Sequence, residues 1–239
     1  MIDIANRKIV AFDLEVVAFN FETYDEETQN YLTKYAKTEE DKQSVIDNLV
    51  FNPFTSQIVA IGMLDINEDK GCVLVNADSD TKLESSKENI NYICKDEKGI
   101  IETFWKTIKD KGYNLYISFN GREFDCPFIM LRSLILEIKP SVNLMAGSDF
   151  NFREYHIDLI KELTFNRHSP TGARRKFSLD FYCKQLGIDS PKENGVRGEM
   201  VDELYKNKEY QKIADYCFGD VIATTELFKK WNNILNLSK

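Results

Sequence analysis

The sequence predicts an α/β fold, a mixed β-sheet covered by helices. Strand-like segments crowd the first third of the chain, and strand–helix alternation follows them. Apolar residues make up 43% of the 239 residues and charged residues 29%, enough for a large core beneath a charged surface. No repeat or low-complexity tract interrupts the pattern.

"KIVAFDLEVV" (8–17) is rich in β-branched and aromatic residues and reads as the first strand. Residues 22–48 are polar, charged and free of Gly and Pro, which predicts a charged helical insertion around 20–50 on the surface. "SQIVAIGMLDI" (56–66) and "GCVLVNA" (71–77) read as a second and third strand joined by a polar turn. A polar segment (78–97) is expected to be irregular. "IIETFWKTIKDKG" (100–112) has apolar residues at helical spacing and ends on glycine. "NLYISFNG" (114–121) is a fourth strand, followed directly by a helix over 124–138. "REYHIDLIKEL" (153–163) holds a fifth strand, "KFSLDFYCKQLGI" (176–188) an amphipathic helix stopped by Gly187, and 210–235 a long final helix.

The formal net charge is -8, so a polyanion would have to be held by a local basic groove or by metal ions offsetting acidic ligands. The five cysteines are scattered, odd in number and without a C-x-x-C pair, which argues against a disulfide framework or structural zinc site. The N-terminus lacks a secretory pattern, and no apolar run approaches the roughly 20 residues of a membrane span. A cytoplasmic protein with no membrane partner is the expectation.

Three places carry chemistry. In "AFDLEVVAF" (11–19), strand alternation puts Asp13 and Glu15 on one face, and Phe12, Leu14 and Val16 on the other. Two such carboxylates repel unless a cation sits between them, and a divalent ion such as magnesium suits oxygen ligands. An edge strand with one solvated face would show the same pattern. In "ISFNGREFDCPF" (117–128) an apolar strand runs into Asn-Gly, and Asp125 stands where a helix begins. That position suits an N-cap, and equally the strand-end crevice where α/β sheets place ligands. In "ADYCFGDVIAT" (214–224), Tyr216 and Asp220 are four apart and share a helix face, as an ordinary surface pair would, while Asp215 faces elsewhere.

Taken in order, Asp-x-Glu, Asn-Gly-x-x-Phe-Asp and Tyr-x-x-x-Asp resemble the DEDD superfamily of 3′–5′ exonucleases, in its tyrosine-type branch. "SQIVAIGML", "YHIDLI", "FSLDFYCKQLGI" and "IADYCFGDVIATTELF" extend the resemblance to stand-alone exonucleases like those of family B DNA polymerases. The resemblance implies a ribonuclease H-like fold, a mixed five-stranded sheet flanked by helices, with residues 1–239 forming a single exonuclease domain. It implies that Asp13, Glu15, Asp125 and Asp220 hold two divalent metal ions, Mg2+ or Mn2+. Asp13 would bridge both ions, Glu15 and Asp220 complete the first, and Asp125 support the second. Tyr216 would orient the attacking water. The other branch has a histidine five residues before the last aspartate; here that residue is Asp215, and the histidines are His156 and His168.

The implied reaction is hydrolysis of phosphodiester bonds from single-stranded 3′ ends, of DNA in the first place with RNA left open, releasing nucleoside 5′-monophosphates. Leu14, Asn120 and Phe124 match positions that contact the terminal nucleotides. Arg174, Arg175 and Lys176 in "GARRKF" (172–177) are candidates for gripping phosphates, as is Arg122; a solvated loop would also account for the first three. His156 and Asp158 in "YHIDLI" read as structural support. Val16 departs from the family's usual Thr or Ser, which bears on substrate contact rather than metal binding. The alternatives are a catalytically silent domain that binds nucleic acid or a partner protein, and another ribonuclease H-like enzyme such as an endonuclease. All four carboxylates and the tyrosine speak against the first, and the Tyr-x-x-x-Asp ending against the second.

Overall fold

The computed structural model describes residues 2–147, 151–189 and 195–237. Strands β1 (Ile9–Ala18), β2 (Ser56–Asp65) and β3 (Lys70–Asn76) form an antiparallel meander. Strands β4 (Ile90–Lys95), β5 (Leu115–Ser118) and β6 (His156–Asp158) extend it in parallel, giving six strands in the order β4-β3-β2-β1-β5-β6. The expected five-stranded sheet is therefore corrected to six. The additional strand, β4, lies inside the polar 78–97 segment expected to be irregular. It is a half-exposed edge strand whose Tyr92 and Cys94 pack on one face and Ile93 on the other.

Between β1 and β2 come α1 (Glu26–Thr33) and α2 (Glu39–Asn48), which bury no residue of their own. They are the expected insertion, each started by a side-chain cap: Asp25 accepts from the Thr28 amide, and Thr38 forms a capping box with Asp41. Helix α3 (Glu97–Lys111) ends on Gly112, whose φ of 68° supplies the left-handed cap. Helices α4 (Asp125–Ile135), α5 (Leu159–Leu163), α6 (Leu179–Leu186), α7 (Val201–Lys206) and α8 (Tyr210–Ile234) complete the chain. The short α5 and α7 have too few turns to leave a periodic signature. Among the described residues no helix is long and apolar enough to cross a membrane.

The sheet separates two apolar layers. Val10, Phe12 and Leu14 of β1 pack with α3 and α4 through Ile100, Phe104, Phe128 and Ile129. Ala11 and Val17, from the opposite face of the same strand, join α8 through Ile213, Cys217, Val221 and Phe228. Each buried Val, Leu, Ile or Phe among them contributes about 1.5–3 kcal/mol, which fixes β1 from both sides. On the α8 side, Gly62 of β2 pairs with Asp13. A Cβ at position 62 would lie 2.7 Å from Val221 Cγ2 and 3.1 Å from Cys217 Sγ, so α8 rests on bare β2 backbone.

Candidate active site

The parallel pair β1–β5 sets the location. Ala11 pairs with Ile117, so Asp13 projects where β5 is ending. This is the carboxyl edge of the parallel strands, where open α/β sheets place ligands. Asp13 and Glu15 share the face turned to α8, as strand alternation requires. A register shift between Glu15 and Val16 marks a bulge immediately beyond them, a common device for re-aiming a strand beside a site.

Of the four predicted carboxylates, Asp13 and Glu15 are grouped directly, while Asp125 and Asp220 are near enough to act on them electrostatically without joining that group. Ligand atoms of Asp13, Glu15 and Cys217 lie within 4.8 Å of one another. Burial, then Asp125, Asp220 and Glu15, holds the Asp13 carboxyl well above the usual carboxylate range. Glu15, only 8% exposed, is raised well above its ordinary value by burial and by Asp220 and Asp125. Asp125 is pushed up to about 7, chiefly by burial, although hydrogen bonds from its own and the Leu14 backbone amides pull it down. Among the described residues no lysine or arginine forms an ion pair with Asp13, Glu15 or Asp125. Buried like charges without a counter-cation are costly. The Asp13 and Glu15 oxygens fit divalent ions such as Mg2+ or Mn2+, while burial and the neighbouring acids hold the Cys217 thiol well above its usual range and so keep it protonated.

Asp125 is the first residue of α4, and its side chain does not cap that helix; the N-cap is Phe124, which makes no side-chain cap bond. The carboxylate instead accepts from the Leu14 amide at 3.0 Å. Leu14 thus contributes its backbone to the site, while its side chain joins the α3/α4 core. Tyr216 is buried and hydrogen-bonds Asp220. Burial and the nearby Glu15, Asp220 and Asp13 raise its phenol above the usual tyrosine range, so it remains a neutral donor. Asp215 points away, accepting from Tyr92 Oη at 2.7 Å and tying α8 to the edge strand.

The loop from β5 to α4 is built around Asp158. Its carboxylate accepts from the amides of Asn120 (2.9 Å), Arg122 (3.0 Å) and Ile160 (3.2 Å). Asn120 sits at φ 69°, a left-handed conformation that Asn tolerates better than most residues. Its side-chain oxygen accepts from Lys176 Nζ at 2.8 Å. Gly121 donates to Ser118 Oγ at 3.1 Å, and that oxygen meets His156 Nε2 at 2.7 Å. Burial lowers His156 to about 3, so it is a neutral core residue, in line with the supporting role read for "YHIDLI".

The candidate substrate residues divide. Arg122 is buried; its guanidinium lies 4.7 Å from the Phe152 ring and donates to the Ala146 carbonyl, so it is already occupied. Arg174, Arg175 and Lys176 are exposed on the loop before α6. The Phe124 ring meets Phe51, at the foot of the insertion, at 6.3 Å, and Phe51 is 63% exposed. Val16, Phe19, Phe21, Phe51, Gly198 and Lys206 line one groove of about 620 Å³. Ser118, Gly121 and Cys217 are the site neighbours that sequence reasoning missed. Gly121 belongs to the Asn-Gly-x-x-Phe-Asp motif without a role read for it, while Ser118, just before that motif, and Cys217, beside Tyr216, carried no chemical signature.

The family model described as "Predicted 3′-5′ exonuclease related to the exonuclease domain of PolB" matches residues 51–236. That span contains Asp125, Tyr216 and Asp220, while Asp13 and Glu15 precede it and are joined to it by the fold. DNA polymerase 1 of Sulfolobus acidocaldarius is 27% identical over 159 residues, covering 63% of this chain and 17% of that protein. DNA polymerase 1 of Sulfurisphaera ohwakuensis is 25% identical over 210 residues, covering 81% and 23%. The family B DNA polymerase from the hyperthermophilic archaeon Pyrobaculum calidifontis superposes with a TM-score of 0.57 at 15% identity, covering 94% of this chain and 24% of that one. The chain therefore spans less than a quarter of these relatives. The structural likeness shows a ribonuclease H-like fold. With the family model spanning most of the sequence, the chain belongs to the family of predicted 3′–5′ exonucleases related to the exonuclease domain of PolB.

Proposed function

We propose that this chain, as one exonuclease domain, hydrolyses single-stranded DNA from the 3′ end and releases nucleoside 5′-monophosphates. The observation that carries this reading is the gathering of Asp13 and Glu15 with Asp125, Asp220 and Tyr216 at their side, where burial and mutual charge disfavour the ionised forms of Asp13, Glu15 and Asp125. Such a set is held ionised by divalent cations, and these four residues would hold a pair of them. When bound, two such ions supply Lewis-acid stabilisation of the attacking and leaving oxygens of an in-line displacement.

The protein's own groups do the rest. The rigid β1 and α8 fix the carboxylates before substrate arrives, so little reorganisation accompanies reaction. Tyr216, neutral and hydrogen-bonded to Asp220, orients the attacking water through its hydroxyl. Asn120 and Phe124 meet the terminal nucleotides, Phe124 by stacking on a base and Asn120 by its amide. Val16 offers that region a methyl surface in place of a hydroxyl.

The test is incubation with 5′-labelled single-stranded DNA and, in parallel, RNA, with Mg2+ or Mn2+. The expected result is a ladder shortening from the 3′ end of DNA, abolished by chelator and by Asp13→Ala. Binding without cleavage of either polymer under both metals would replace this reading with that of a silent nucleic-acid-binding domain.

A further inference from the structure

The segment between α5 and α6 holds an arrangement that the candidate active site does not use. The Ser169 amide donates to Arg174 O at 3.1 Å and the Arg175 amide to Gly172 O at 3.0 Å, folding 169–175 into a tight loop. Gly172 takes φ 82° at its turn. The loop presents Arg174, Arg175 and Lys176 to solvent. Immediately after it, planar groups stack in series. The Arg175 guanidinium carbon lies 4.9 Å from the Phe177 centroid. The Phe177 ring lies 4.3 Å from that of Phe181, with planes 20° apart. Phe181 is 41% exposed.

The stack is braced. Tyr182 meets Phe177 edge-on at 5.8 Å and donates its hydroxyl to Arg175 O at 3.2 Å. Its ring also meets Phe119 at 5.9 Å, and Phe119 directly follows β5 and precedes Asn120. The Lys176–Asn120 hydrogen bond makes a second connection to the same strand end. The stack is thus continuous with the loop that carries Asp125. An exposed Phe181 stacked on a half-buried Phe177 beside three exposed cations is an unusual use of surface. A ligand with flat faces and regularly spaced negative charge matches it. Bases stack on exposed rings irrespective of sequence, while cations follow the phosphates. The insertion shows the opposite character, with Glu26, Glu27, Glu39, Glu40 and Asp41 in the first turns of its helices.

We propose that Arg175, Phe177 and Phe181 form a stacking platform for single-stranded nucleic acid. It holds nucleotides upstream of those that occupy the active site, with Arg174 and Lys176 gripping the phosphates between. Only the polarity of the strand on the platform rests on the exonuclease reading; binding to it does not.

Fluorescence anisotropy of the full chain tests the proposal, in EDTA so that no cleavage intervenes, with 5′-labelled dT4, dT12 and U12. Wild type is expected to bind dT12 more tightly than dT4. Phe181→Ala is expected to weaken dT12 binding about tenfold, with Phe181→Tyr retaining it. Arg175→Gln is expected to weaken it as well, and Arg174→Gln to make the salt dependence shallower by about one phosphate contact. The U12 arm identifies whether the platform serves RNA as well; a loss in Phe181→Ala with either polymer upholds it. Unchanged dT12 and U12 binding in both Phe181→Ala and Arg175→Gln overturns it. Wild type that binds through Phe181 yet leaves DNA 3′ ends intact with Mn2+ overturns the exonuclease reading alone. Wild type that shortens DNA while Phe181→Ala and Arg175→Gln both bind dT12 and U12 as before overturns the platform alone.

Discussion

The Leu14 backbone amide donates to the Asp125 carboxylate at 3.0 Å, closing a separation of 111 residues in the buried centre of the molecule. Leu14 lies between Asp13 and Glu15 on β1. One oxygen of Asp125 is therefore spent on setting the register between α4 and β1. The acid that begins α4 is held against the strand carrying its two partners, and the site is assembled by backbone as much as by charge.

Asp13→Asn should separate activity from stability. Removing one of four clustered charges lowers turnover of single-stranded DNA by at least about 100-fold, because the cations lose a ligand. The same change relieves repulsion in the metal-free protein. Thermal unfolding in EDTA should therefore rise by a few degrees, since roughly 1 kcal/mol moves Tm by about 2–4 °C at this chain length. A lower Tm in EDTA would show that the Asp13 charge is compensated within the protein.

The pH dependence of metal-free stability should carry the mark of Asp125. Its folded value is raised to about 7 from the ordinary 3.8. Between these limits the folded state binds the extra proton, so the contribution is full below about pH 4 and lost as pH rises through about 7. His156 acts in the opposite sense: lowered to about 3, it costs stability as pH falls below its ordinary 6.5. The difference between wild type and Asp125→Asn cancels the histidine. That difference should be flat at acidic pH, turn against wild type as pH rises from about 4 through about 7, and continue in that direction above, because the Asp125 charge also holds up Asp13 and Glu15. Denaturant unfolding across this range measures it.

Tyr216→Phe should lower kcat about tenfold or more while leaving the metal-induced rise in Tm nearly intact, because only the hydroxyl on Asp220 is removed. Pre-steady-state cleavage combined with thermal shifts in Mn2+ reads both quantities.

Gly121→Ala should damage the site without touching a ligand. A Cβ there would meet Ser118 Oγ at 2.2 Å and Ser118 Cβ at 2.6 Å, and would stand 3.4 Å from Asp125 Oδ2. Ser118 cannot retreat without leaving His156. A loss of about 1–3 kcal/mol in unfolding free energy is expected, together with weaker Mn2+ binding by calorimetry.

Much of this site was legible in the sequence, for local reasons. Asp13 and Glu15 share a face because strands alternate, and Tyr216 and Asp220 do so because helices repeat at 3.6 residues. Both rules operate within five residues. What escaped was decided at long range. Strand β4 is short and set among polar residues, and it becomes a strand by pairing with β3. Arg122 stands three residues from Asp125 and looks free for phosphate, yet the loop organised by Asp158 turns it onto Phe152. Asp125 fits the sequence rule for an N-cap, but the Leu14 amide claims its oxygen.

The bare backbone at Gly62 gives the molecule a mechanical zero. With no side chain there, the sheet acts as a datum surface, and α8 is seated on it as a part is seated against a stop. The gap between the acids of β1 and those of α8 is thereby gauged by an atom that is missing. A variant that folds, keeps every ligand and yet holds metal poorly would trace to such a seat, where tolerance rather than chemistry is set.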